Sequence, residues 1–185
     1  MTEATRAALV ATMSLSRRRF LLGGAGALSG LAPKLAWAQA SIWQEYRRDD
    51  VGFRIEMPGA PRIRVQRGRP EENWTTSTGA QVRYEHEIFD VSWTEFKDTV
   101  PVEDEYARFR DMMGRAGYQI EEDIPLTLDD VPAREFIIET GNINFVRRIL
   151  VVRNVAIGIH AMGARNVQYS PTVRRFLDSF RLLRL

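Results

Sequence analysis

The chain has 185 residues, with 26 Lys and Arg against 24 Asp and Glu, and no cysteine. The lack of thiols excludes disulfides, thiolate metal sites, iron–sulfur clusters and a cysteine nucleophile. The formal charge of +2 is set by the first forty residues, which hold Arg6, Arg17, Arg18, Arg19 and Lys34 against Glu3; the remaining 21 basic and 23 acidic residues balance near neutrality, so bulk attraction to nucleic acid is not expected.

In chain order, three arginines stand directly before Phe20-Leu21-Leu22, and a weakly apolar Gly/Ala/Leu run extends to Ala32. Two overlapping small-x-small sites follow, Ala36-Trp37-Ala38 and Ala38-Gln39-Ala40. A basic head, an apolar run of about 13 residues and an A-x-A exit are the parts of a removable export signal. The run falls short of the roughly 20 residues a membrane span needs. Ser16-Arg17-Arg18-Arg19-Phe20-Leu21 resembles the bacterial twin-arginine consensus, with Ser16, Arg17, Arg18, Phe20 and Leu21 on its key positions. The resemblance implies the twin-arginine export machinery as a partner, a periplasmic destination and no permanent membrane anchor, because such a signal is an address read by a receptor. Cleavage is expected after Ala38 or Ala40. A basic tail followed by a short helix is the alternative. Residues 1–12 read as an upstream extension, with Met13 an equally good start. Gly24, Gly26 and Gly30 imitate a nucleotide-binding loop, but no strand precedes them.

Residues 41–185 then form one domain, large enough for a hydrophobic core. Strands are expected at 42–48 and 52–57, the second with Phe53, Ile55 and Met57 on one face, ended by Pro58-Gly59. Residues 62–65 alternate again, with arginines on one face. Residues 66–80 lack periodicity and read as a long loop or loosely paired hairpin. Residues 81–89 read as a strand with Val82, Tyr84, His86 and Ile88 on one face; 91–96 continue it, or pair back after a turn at Asp90.

Spacing predicts a helix over 102–116 that buries Tyr106, Phe109, Met113 and Ala116. Thr99 or Asp98 would cap it, Glu103, Asp104 and Glu105 would suit its positive end, and Gly117 would stop it. Asp104 with Arg108 and Asp111 with Arg115 are candidate pairs on its exposed side. Strands are expected at 118–124, ended by Pro125, and at 134–140, 145–152 and 155–162, whose dense apolar runs suit central positions. Ser170-Pro171 opens a short helix with Val173, Phe176, Leu177 and Phe180 buried. Residues 180–183 read as a last extended piece.

Gly52-Phe53-Arg54-Ile55-Glu56-Met57-Pro58-Gly59-Ala60-Pro61 and Ser170-Pro171-Thr172-Val173-Arg174-Arg175-Phe176-Leu177-Asp178-Ser179-Phe180 together resemble small exported bacterial domains of the PsbP-like superfamily, which includes DcrB-like proteins. The resemblance implies an α/β sandwich: a central, mainly antiparallel sheet with one long helix and a C-terminal helix packed on it. It also implies a non-enzymatic accessory or assembly role, with an envelope protein as partner. It places no ligand residue and no cofactor on this chain.

Candidates for chemistry are few. His86 sits between Glu85 and Glu87, and strand alternation sends it to the face opposite both, so a local metal cluster is not expected. It reads as a structural histidine, with a ligand or base as the alternative. His160 lies in an apolar strand and reads as structural. No G-x-S-x-G elbow and no P-loop occurs. Arg62, Arg64, Arg67 and Arg69 are the main charge feature of the domain. With Trp74 they could line an anionic groove, or they could protect a sheet edge from aggregation. The expected function is a non-catalytic binding or accessory protein. A small hydrolase using His86, or a small-ligand carrier with a site between helix and sheet, are the alternatives.

The leader yields the first test. N-terminal sequencing of the exported protein should find a terminus at Gln39 or Ser41; a terminus at Met1 or Met13 would remove the basis of the export reading.

Overall fold

The computed structural model describes residues 43–183, so the export-signal positions Ser16, Arg17, Arg18, Phe20 and Leu21, and the cleavage positions Ala38 and Ala40, lie outside the described residues. In chain order the elements are β1 (Trp43–Arg48), β2 (Phe53–Pro58), β3 (Arg62–Arg67), β4 (Trp74–Tyr84), β5 (Glu87–Phe96), α1 (Val102–Arg115), β6 (Gln119–Leu128), β7 (Val131–Glu139), β8 (Ile143–Val152), β9 (Val155–Ala164), a 3-10 turn (Val167–Tyr169), α2 (Pro171–Ser179) and β10 (Arg181–Leu182). They form an antiparallel three-stranded sheet, β1-β2-β10, and an antiparallel seven-stranded sheet, β3-β4-β5-β9-β8-β7-β6.

This corrects the expected fold class. Strands take 57% of the described residues and helices 18%, so the domain is mostly β, with two sheets and two helices, and not an α/β sandwich built with a long helix. Three local features account for the difference. Residues 74–80, read as part of a loop, are the first part of strand β4, whose inward positions Thr78, Ala80 and Val82 are buried while Ser77, Gly79 and Gln81 face the other way. Small and hydroxylated residues on its inner face hid the alternation. The β4–β5 reversal is at Glu85-His86, where Glu85 takes a φ of 52°, and not at Asp90. No glycine, asparagine or proline signals that turn. Strand β6 runs through Pro125 instead of stopping there, which is tolerated because β6 is an outermost strand with one side of its backbone unpaired.

Helix α1 starts behind Pro101, whose carbonyl accepts the Asp104 N–H at 3.1 Å; neither Asp98 nor Thr99 caps it. Gly117, at a φ of 77°, ends it as the Tyr118 N–H donates to Met113 O. Ala116 is exposed, and Arg108 pairs with Glu105 in place of Asp104.

The period of two in the strands divides the large sheet into two unlike faces. On one, Val82, Phe89, Val91, Trp93, Leu150 and Ile159 pack against Phe53, Ile55 and Met57 of β2 and Val173, Phe176 and Leu177 of α2. Phe53 lies 5.5 Å from Trp93 and 5.8 Å from Phe180, ring to ring. On the other face, Tyr106, Phe109 and Met113 of α1 cover Phe136, Ile138 and Ile149, in the β7–β8 half. The β3–β5 half of that face carries Arg62, Arg64, Gln66, Ser77, Gln81, Asp90, Ser92 and Thr94.

A buried ion network ties the main core together. Arg148 of β8, 7% exposed, donates from Nε to Glu135 Oε2 at 2.7 Å, from Nη1 to Leu177 O at 2.7 Å and from Nη2 to Asp178 Oδ1 at 2.8 Å. Arg174 of α2 reaches the other side of Glu135 at 3.1 Å. The guanidinium thus joins two central strands to the carbonyl end of α2, where positive charge is favoured. Removing one partner of a buried pair costs about 3–5 kcal/mol, because the other is left uncompensated. Arg148→Ala should lose about that much in urea unfolding, and Glu135→Ala/Arg148→Ala clearly less than the two single losses together; strict additivity would show that the pair is not coupled.

Candidate functional site: a groove beside helix α1

Because α1 covers only part of its face of the large sheet, a groove remains between the helix and β3–β5. It has two parts that share Gln66 and Ser77. One, of about 250 Å³, is lined by Trp74, Thr94, Glu105, Arg108, Phe109 and Arg147 among others. The other, of about 200 Å³, runs along Arg64, Gly79, Asp90 and Ser92. A separate cleft of about 210 Å³ beside β2 is lined by Glu45, Arg54 and Glu56. Its charges already satisfy one another through the Arg54–Glu45 and Arg175–Glu56 pairs, both at 2.8 Å.

Arg147 forms the floor of the groove. It directly precedes Arg148 on β8, so alternation turns it to the opposite face, across from His160 of β9 and Phe136 of β7. Its guanidinium carbon lies 5.1 Å over the Phe109 ring. A Cβ at position 158 would stand 2.5 Å from Arg147 Nη2, so Gly158 is what makes room for the guanidinium. Arg147 Nε is enclosed and has no hydrogen-bond partner among the described residues. Burial pushes the guanidinium below its ordinary value, while the carboxylates of Asp90 and Glu105 act against that shift. An arginine nonetheless stays charged in a protein.

The neighbours are also short of partners. His160 Nε2 is enclosed without a hydrogen bond to any of the described residues, and its ring meets Phe145 edge-on at 5.4 Å. Burial, followed by the charge of Arg147, pushes His160 down to about 3. Burial raises Asp90, against the lowering influence of Arg147 and Arg64; Arg64 Nη2 stands 3.8 Å away. Glu105 Oε2 is 3.1 Å from Arg108 Nη1, but the alignment is not that of a hydrogen bond. Among the described residues, five buried side-chain atoms lack a hydrogen-bond partner, and three of them, on Glu105, Arg147 and His160, belong to this one cluster. Buried polar atoms are nearly always paired, so such a concentration marks the place where the fold has left capacity unused.

The sequence candidates are only partly brought together. Arg62 and Arg64 lie on the groove face of β3, and Trp74 lines the groove. Arg67 points to the opposite face, and Arg69 lies beyond the end of β3, its N–H donating to Glu72 Oε2. The four arginines are therefore not one patch. His86 is exposed in the β4–β5 turn and not on a strand face; it is at the far end of β4 from Trp74, roughly 30 Å along the strand. Arg108, Arg147, Asp90 and Glu105 were missed. The available signal was Arg147-Arg148 itself: two consecutive arginines in a dense apolar strand must place one charge on each buried face.

Among the described residues, no group of three or more His, Asp or Glu side chains is placed to hold a metal ion, and no helix is long and apolar enough to cross a membrane. No protein-family model matches the chain, and no curated protein matches it in sequence.

His160 supplies a pH test. The folded protein holds it neutral down to about pH 3, whereas the unfolded chain protonates it near 6.5. In that window the unfolded state binds the additional proton, so this group lowers stability as pH falls from about 6.5 and has no such effect above it. His160→Gln should lose less stability than the wild type between pH 7 and pH 4.5, by roughly 1–3 kcal/mol in urea unfolding. Equal losses would show that the imidazole titrates as it does in water.

Proposed function

We propose that this protein is an exported, non-catalytic binding protein that takes its ligand in the groove between α1 and strands β3–β5. The observation that carries this reading is Arg147, which lines the open cavity and makes no ion pair within 4 Å among the described residues, beside enclosed atoms of Glu105 and His160 that also lack hydrogen bonds. A ligand carrying an acceptor group would pair with the Arg147 guanidinium at the cavity wall, and a buried polar group left without a partner costs on the order of 1–3 kcal/mol. The export half rests on the leader and its twin-arginine likeness, and the accessory role on the likeness to PsbP-like domains.

The chemistry of the groove favours binding over turnover. An imidazole held near 3 is a poor general base at neutral pH. Of the hydroxyls along the groove, Ser77 Oγ and Thr94 Oγ1 lie 3.0 Å apart and bond each other, and Ser92 Oγ donates to the Gly158 carbonyl at 3.5 Å. His86, the residue on which a hydrolase reading depended, is at an exposed turn away from the groove.

The test is a screen of a polar metabolite extract against the purified protein, read by backbone amide shifts and by thermal unfolding. A ligand at one hundred times its dissociation constant should stabilise the fold by about 2.7 kcal/mol. It should shift the amides of Ser77, Gly79, Ser92 and Gly158 and be recovered unchanged. Chemical conversion of the bound compound would overturn the non-catalytic half of the proposal. Binding that leaves all four amides unmoved would overturn the groove half.

A further inference from the structure

The groove reading leaves open what kind of molecule is bound, and the inference that follows rests on that reading. We infer that Arg147, assisted by Arg108, anchors the carboxylate of a small monocarboxylate whose flat apolar body lies against Trp74, Phe109 and Met112.

Four observations converge on this chemistry. The first is the state of Arg147, whose guanidinium lines the cavity and makes no ion pair within 4 Å among the described residues, although a planar fork of five donors suits two carboxylate oxygens side by side. The second is its seating. Gly158 leaves the space in which Nη2 lies, and Phe109 supports the guanidinium plane from below, so the donors are held in place before any ligand arrives. Pre-set geometry reduces the cost of ordering on binding.

The third is charge. The larger part of the groove sets Arg108 and Arg147 against Glu105, and the smaller sets Arg64 against Asp90. One positive charge is in excess, which a monoanion balances. A doubly charged phosphate would meet two carboxylates with only that single excess charge to hold it. The fourth is size and wall chemistry. An apolar cavity of about 150 Å³ is enough for benzene. The larger part of this groove measures about 250 Å³, with Trp74, Phe109 and Met112 among its walls, which leaves space for a carboxylate on a ring-sized body.

The decisive experiment titrates the purified protein with sodium benzoate, with benzamide of the same shape but no charge, and with inorganic phosphate, using calorimetry and amide shifts at pH 7. Benzoate should bind saturably and shift the Gly158 amide, and benzamide should bind at least tenfold more weakly. Phosphate should not saturate. Arg147→Lys, which keeps the charge and loses the fork, should weaken benzoate at least tenfold. Gly158→Ala, which displaces the guanidinium without removing it, should do likewise, and Arg67→Ala, on the opposite face of β3, should leave binding unchanged. The three wild-type titrations decide the matter even where a variant does not fold. Equal binding of benzoate and benzamide, phosphate binding as tight as benzoate, or benzoate binding indifferent to Arg147→Lys would each overturn the carboxylate assignment. So would no benzoate binding at all. In any of these cases the binding function still stands if another compound shifts the groove amides, so the two failures are separable.

Discussion

Two neighbouring arginines on one central strand set the organisation of this domain. Strand side chains alternate, so Arg147 and Arg148 must leave β8 in opposite directions. Both enter a largely apolar interior, where an unpaired charge is costly. Arg148 meets that cost fully: Glu135, the Leu177 carbonyl and Asp178 take its donors, and α2 is held to the sheet as a result. Arg147 does not; it has an aromatic ring, a glycine-shaped space and two carboxylates that act on it only from a distance. Satisfied charge on one face makes structure, and unsatisfied charge on the other lies at an open groove.

The groove follows from how the two faces are covered. The face toward Arg148 is closed by β2, α2 and Phe180 over a continuous aromatic and aliphatic layer. The face toward Arg147 has only α1, whose three buried side chains reach the β7–β8 half. The β3–β5 half needs no cover because its outward positions are Ser77, Ser92, Thr94, Gln81 and the two arginines of β3. A polar half-face beside an apolar helix is a standard setting for a cleft, with directional groups on one wall and apolar groups on the other.

The outer strands of the large sheet are protected in different ways. Strand β6 carries Pro125 and a register shift between Ile120 and Glu122. Strand β3 is exposed along all six residues, with Arg62, Arg64 and Arg67 on it. Charge, proline and irregularity all discourage pairing with another sheet edge. For Arg67 and Arg69, which do not reach the groove, edge protection accounts for the residues; Arg64 also faces Asp90.

The sequence by itself determined the local elements that depend on neighbours in the chain. The spacing of Tyr106, Phe109 and Met113, the stop at Gly117, the Ser170-Pro171 helix start and the alternation of Phe53, Ile55 and Met57 are all written in residues a few positions apart. Only the tertiary structure decided the rest. Thr78 and Ala80 become buried because β3 and β5 flank them, Pro125 stays in a strand because no chain pairs beyond it, and Glu85-His86 turns because the strands on either side require it. The groove belongs to this second group. Glu105 and Arg108 come from the helix, Asp90 from β5, Arg147 from β8 and His160 from β9, and only strand pairing together with the packing of α1 on the sheet brings these distant positions within reach of one another.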